Sequence, residues 1–449
     1  MCPLKLTVLM SAMIITTANA NGLEALSIDK AITLAIQNDP WLAGNKYRET
    51  AIRENSVAAN TYPEPVVSVG VANLPVDGFV FNQEPMTQLK FGVSQMLPKG
   101  DSLAIRSQQL QQTAQQFPFQ REDRIAQLRM TVSSLWFDVY RAQQSIQLIE
   151  QDRQLFAQLG EIAQVNYSSA LGNVRQQDIV RAQLELSRLD DRLTGLRAQE
   201  RQASALLMEW IVQPEQQWQL SQSLQVKLDE NLNQITPIPE QTLNAIAIND
   251  QRLLGRLLQA HPSIMSIEQR ISASDSSIEL AKQDYQPQWG LNASYAYRAD
   301  DSSGASRADF FSIGVTVQVP LFTSNKQDRQ VSAAVNEKEA MKTDKLLMLR
   351  SMMYKLQSAY AEYQGLKERQ QLYKNAILVQ MREQAEASLT AYTNDDGDFA
   401  EVVRARIADL NARLDALNIQ TNLLKARVQI QYFLTQSTIG LTSPMEQLP

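Results

Sequence analysis

Few residues in this chain of 449 could carry covalent or metal chemistry. Its one cysteine, Cys2, precedes an apolar N-terminal run, and its one histidine, His261, stands before Pro262 at what reads as the end of a helix. Thiol catalysis and thiolate metal sites therefore lack the residues they need. There is no P-loop and no glycine-rich dinucleotide turn, so no cofactor is expected and an enzyme is not the expected class. Met341, Met348, Met352 and Met353 lie close enough together to suggest a thioether relay for soft monovalent copper or silver. Met352 also falls on a heptad stripe, and core packing accounts for the group more simply. The densest cluster of acids is Asp395, Asp396, Asp398 and Glu401, with Tyr392 before it and Arg404 after it. Such acids either cap the helix after a solvated turn or, repeated by symmetry around a constriction, focus a negative potential that favours cations.

The elements that must hold these residues are long. Only 16 glycines and 16 prolines punctuate the chain, which is rich in good helix formers. Residues 1–20 read as a signal peptide: Lys5, an apolar run from Leu6 to Ile15, and the small-x-small pattern Ala18, Asn19, Ala20. The mature chain is expected to begin at Asn21. A formal charge of -6 leaves no electrostatic footprint for nucleic acid. Beyond the signal no apolar stretch is long enough for a spanning helix, so strands must carry any membrane crossing.

The same order of parts occurs twice, at a spacing of about 222 residues. Asp39-Pro40 matches His261-Pro262, and Val180-Arg181-Ala182 matches Val403-Arg404-Ala405. The first repeat is placed at 21–212, with strands near 66–74 and 87–97, a long helix near 102–167 and a partner helix near 176–211. A proline-containing linker occupies 213–240. The second repeat, 241–436, has strands near 288–298 and 309–319, a long helix near 326–392 and a partner near 399–434, followed by a tail at 437–449.

In the first long helix Ile125, Leu128, Val132, Leu135, Val139, Ala142, Ile146 and Ile149 step by three and four, the repeat of a left-handed coiled coil. Met352, Leu356, Ala359, Tyr363 and Leu366 do the same in the second. Pro118 should kink the first rod or mark a restart. Four segments alternate instead: Val67, Val69 and Val71; Leu89, Phe91 and Val93; Leu291, Ala293, Tyr295 and Tyr297; and Phe311, Ile313, Val315 and Val317. Each is about long enough to cross a bilayer at a tilt. A half-exposed sheet on a soluble domain would show the same pattern. Four strands cannot close a barrel, so in a membrane closure must come from further copies.

Taken together, the duplication, strand pairs and helix turns resemble the TolC family of outer membrane efflux proteins. The specific residues are at the turns: Gly172, Asp178, Arg181 and Ala182 in the first, and 392–406 in the second, with Tyr392, Gly397 and Glu401. The resemblance implies a mixed α/β membrane protein: a homotrimer with a 12-stranded transmembrane β-barrel, four strands per protomer, continuous with a periplasmic α-helical coiled-coil barrel. It further implies outer-membrane lipid, a periplasmic adaptor (membrane fusion) protein and an inner-membrane pump of the resistance-nodulation-division type as partners. Glu401 takes the place of the family's entrance acid and Tyr392 that of its tyrosine, while Asp395 stands where the family has glycine and Arg404 where it has a second acid. Gly172, Asp178, Arg181 and Gly397 are then adaptor-contacting positions. The stretch 92–100, followed by Arg106, resembles the branch serving heavy-metal pumps, with multidrug or type I secretion channels as the alternative. A coiled-coil scaffold is the expectation from another class.

Overall fold

The computed structural model describes residues 26–168, 176–212, 226, 238–394 and 397–439. The signal peptide, Gly172, Asp395, Asp396, most of the 213–240 linker and residues 440–449 lie outside them.

The first half runs α1 (Ile28–Asn38), α2 (Pro40–Ala59), β1 (Val66–Ala72), β2 (Gln88–Met96), α3 (Ser102–Ala114), α4 (Gln116–Ser168) and α5 (Gln176–Ile211). After α6 (Glu240–Ala247) the second half repeats the order. Its elements are α7 (Gln251–Gln259), α8 (Pro262–Lys282), β3 (Gln288–Tyr297), β4 (Phe310–Gln318), α9 (Gln327–Leu372), α10 (Leu378–Thr393) and α11 (Phe399–Phe433). Side chains set where helices begin. Ser27 Oγ accepts from Lys30 N at 3.3 Å to open α1, and Asp39 Oδ1 accepts from Trp41 N at 3.1 Å to open α2. Pro40 and Pro262 take the first helical position, where a backbone N–H has no partner to lose.

Two features depart from the expected long rods. The helix expected over 102–167 is two helices, parted at Gln115, and Pro118 is the third residue of the second. A proline so near a helix start removes an N–H that has no intrahelical acceptor, so it marks a restart. The second rod is interrupted by a five-residue π segment, Tyr373–Ile377, between α9 and α10. Even so, α4 has 53 residues and extends about 80 Å at 1.5 Å per residue.

Packing pairs α4 with α5, α11 with both α9 and α10, and α2 with α3 and α8 with α9 nearer the strands, while α4 and α11 join the two halves. Leu128, Val132, Val139, Ala142, Ile149, Phe156 and Leu159 on the α4 stripe are buried. So are Trp136 and Phe137, which lie off that stripe. They face a second partner, α1 with its buried Ala31 and Ala35, and Trp136 Nε1 donates to Leu26 O at 2.9 Å. Met352 is buried and Met348 and Met353 pack beside it against Leu356 and Ile264, so these three methionines are core.

Candidate functional site

Two regions gather the residues singled out by sequence. In the first, β1 to β4 form one antiparallel sheet in chain order. Its register pairs Val69 with Phe91, Phe91 with Tyr295, and Tyr295 with Phe311, so the apolar positions of all four strands share one face. Most of that face is exposed. Val67 is 70% exposed, Phe311 71% and Ile313 79%. The opposite face carries Ser68, Lys90, Ser94, Asn292, Ser294, Ser312 and Thr316. The outer edges of β1 and β4 have no strand partner among the described residues.

At the strand-to-helix junction, the stretch resembling the heavy-metal branch is occupied with structure. Lys99 Nζ lies 2.8 Å from Asp284 Oδ1, and Asp101 N donates to Gln283 Oε1 at 3.1 Å. Gly100 has φ +47, a backbone state that strains any L side chain, and Gln283 Oε1 lies where a Cβ would stand. These residues fix how β2 feeds α3.

The second region is the turn between α10 and α11. Asp398 is the N-cap of α11 and its carboxylate accepts from Ala400 N at 3.2 Å. Tyr392 meets Phe399 edge to face at 5.6 Å between ring centroids, and both pack on the α4, α5 and α11 core. Gly397 is required by proximity: a Cβ there would stand 2.6 Å from Tyr392 N and 2.9 Å from Ala391 C. Glu401 is not a lone acid. Arg404 Nη2 donates to Glu401 Oε2 at 2.8 Å, and Arg404 Nε donates to Ala400 O at 3.3 Å. In the first turn, Asp178 is buried in the opening turn of α5 while Arg181 is exposed.

Farther along the same helices is an ionic cluster that no sequence pattern announced. Arg413 on α11 reaches Asp152 on α4 and also lies 3.0 Å from Asp409 Oδ2. Both carboxylates are largely buried. Burial pushes the Asp152 carboxyl up, against the pull of Arg413. The one available signal was an aspartate breaking an apolar run on the buried side of α4.

His261 is likewise not the helix terminus expected. It is the N-cap of α8, fully buried, with Nδ1 accepting from Ser263 N at 3.2 Å and Nε2 3.0 Å from Tyr432 O. Burial lowers its pKa from 6.5 to about 4. Asp39 holds the same place in the first repeat, but pairs with Arg124 at 2.8 Å. Among the described residues no cluster of three or more His, Cys, Asp or Glu could hold a metal, and no helix is long and apolar enough to cross a membrane.

An apolar, exposed four-stranded sheet joined to paired helices of this length has counterparts among known proteins. Residues 253–435 match the outer membrane efflux protein family. That domain holds β3, β4 and α8 to α11, which include the turn with Tyr392, Gly397 and Glu401. The whole chain is similar in structure to CusC, with a TM-score of 0.73 and 14% identity over 91% of this chain and 92% of that one. It is similar to a membrane protein from Pseudomonas aeruginosa, TM-score 0.74, 13% identity, covering 91% and 92%. It is also similar to the CmeC outer membrane channel of Campylobacter jejuni, TM-score 0.70, 13% identity, covering 91% and 85%. No curated protein sequence matches. The fold is that of the outer-membrane efflux channels, as the TolC-like resemblance implied.

Proposed function

We propose that this chain is the outer-membrane channel subunit of a tripartite efflux system, a non-enzymatic conduit that works as a homotrimer. The observation that carries the reading is the sheet: an exposed apolar face, a small polar face, and two unpaired edges. Unsatisfied backbone groups cost several kcal/mol each in a bilayer, so such a sheet enters lipid only when its edges are paired. Three copies supply twelve strands, four from each, and a ring of that size leaves room for a water-filled bore. The paired helices then form the periplasmic portion, and the α10–α11 turn, with the α4–α5 turn, is the end that an adaptor protein and an inner-membrane pump engage.

At that end Tyr392, Asp395, Asp396, Asp398, Glu401 and Arg404 form the gate, with Gly172, Asp178, Arg181 and Gly397 at the adaptor contacts. Heavy-metal cations are the favoured cargo, on the resemblance of residues 92–100 and the acids of the turn. The structural role of Lys99 and Gly100 at the strand-to-helix junction weakens the first of these supports. Drugs or secreted polypeptide are the alternative cargo.

The test is direct. Purified mature protein in detergent should sediment as a trimer and give stepwise conductance in planar bilayers. A monomer that stays in solution without detergent overturns the channel. Cargo is read separately: deletion of the gene should sensitise cells to copper, silver, zinc, cobalt or cadmium ions, and sensitisation to drugs alone assigns the alternative.

A further inference from the structure

The loop joining β1 and β2, residues 73–87, is the larger of the two hairpin loops at one end of the sheet and carries apolar side chains at its tip. Val76 is 82% exposed and Phe79 69%, and Val80 is exposed beside them. The loop is nonetheless built. Asn73 Nδ2 donates to Met86 O at 3.1 Å, Thr87 Oγ1 donates to Asn73 O at 2.8 Å, and Gln83 Nε2 donates to Asp77 Oδ1 at 3.1 Å. From the neighbouring hairpin loop Arg307 Nη1 donates to Glu84 O at 3.2 Å. Its polar groups are tied to one another while Val76, Phe79 and Val80 stand exposed. Phe79 has φ +52, an uncommon backbone state for a bulky residue, with its N–H held by Pro75 O at 3.0 Å. In the isolated chain that cost returns no packing.

The direction of the loop decides what meets it. Phe81 stacks on Tyr297, ring centroids 6.5 Å apart and 16° between planes. Tyr297 pairs in register with Leu89, and both belong to the apolar face of the sheet. The loop therefore leaves the strands over that face, away from the side that bears Lys90 and Ser294. We infer that Val76, Phe79 and Val80 seat in the acyl–headgroup boundary of the outer leaflet, continuing the lipid-facing surface beyond the strands as an anchor on each protomer. The partner is a lipid surface, which accepts apolar side chains without a shaped pocket. This rests on the barrel reading of the sheet.

The experiment separates the two. Single-cysteine variants Val76→Cys, Phe79→Cys, Ile313→Cys and Ser303→Cys of the mature chain, whose residues 21–449 hold no other cysteine, are labelled with an environment-sensitive fluorophore. The trimer is placed in nanodiscs whose phospholipids carry bromine on their acyl chains. Labels at 76 and 79 should emit to the blue of the label at 303, be quenched by the brominated lipid as the label at 313 is, and be shielded from aqueous iodide. If 313 is quenched by lipid but 76 and 79 respond only to iodide, the loop faces water or the pore mouth and the inference is overturned. If 313 also escapes the brominated lipid, the barrel itself is wrong and the inference falls with it.

Discussion

At the level of single residues, the Arg404 guanidinium 2.8 Å from Glu401 Oε2 decides how much negative potential the turn can offer. Both side chains are exposed, so the pair adds little stability, about 1 kcal/mol at most, but it cancels a charge where charge is the proposed function. Arg404→Gln should therefore raise cation-over-anion selectivity, read as reversal potential in planar bilayers, whereas Glu401→Gln, which leaves the guanidinium uncompensated, should lower it. An unchanged reversal potential in both variants would remove the pair from the conduction path. His261 makes a different prediction. An unfolded histidine takes up a proton below its ordinary 6.5, while the buried ring refuses one until about 4. Stability is thus complete above pH 6.5 and falls by about 1.4 kcal/mol per pH unit down to about 4. His261→Asn, which keeps a capping side chain, should flatten the acid side of the melting-temperature profile. Of these residues, Asp398 as a cap was legible in sequence because capping is local. The need for Gly397 was not, because it arises from the backbone of Tyr392 lying across the turn. His261 misled for a related reason: Pro262 marks a helix boundary, but which side the histidine serves depends on Tyr432 in another element.

Between elements, α4 and α11 are held by apolar packing and by the cluster of Asp152, Asp409 and Arg413. Removing the cation leaves two buried carboxylates facing each other, and breaking such a cluster costs about 3 kcal/mol or more. Arg413→Met should lower the melting temperature measurably at neutral pH, and less at acid pH, where Asp152 with its raised pKa is readily neutralised. A variant as stable as the parent at both would show that the helices do not depend on this link. Heptad stepping revealed which face of α4 meets its main partner, because a 3.5-residue repeat reports one neighbour. It missed Trp136 and Phe137, since a helix lodged among α1, α5 and α11 buries more than one stripe. Alternation placed the strands to within a residue or two, a period of two being hard to mistake.

For the assembled molecule, the test lies in the sheet. Ile313 is 79% exposed at the middle of β4, on the face proposed to meet lipid. Ile313→Arg should cost about 2–4 kcal/mol of membrane stability, read as loss of the folded trimer from reconstituted bilayers. Ser312→Arg, on the opposite face, should leave insertion intact. Trimer closure could be argued from four strands only because a bilayer forbids open edges.

Those open edges also bear on how the protein is made. In the proposed trimer each chain must travel through water before it finds two others, carrying strand backbones ready to template the wrong neighbour. The helices can gather their cores alone, but the sheet gains its full bonding only in an encounter whose rate rises steeply with concentration. Biogenesis should then hinge on a holdase that shields β1 to β4 in transit, and its depletion should leave insoluble chain in place of idle monomer.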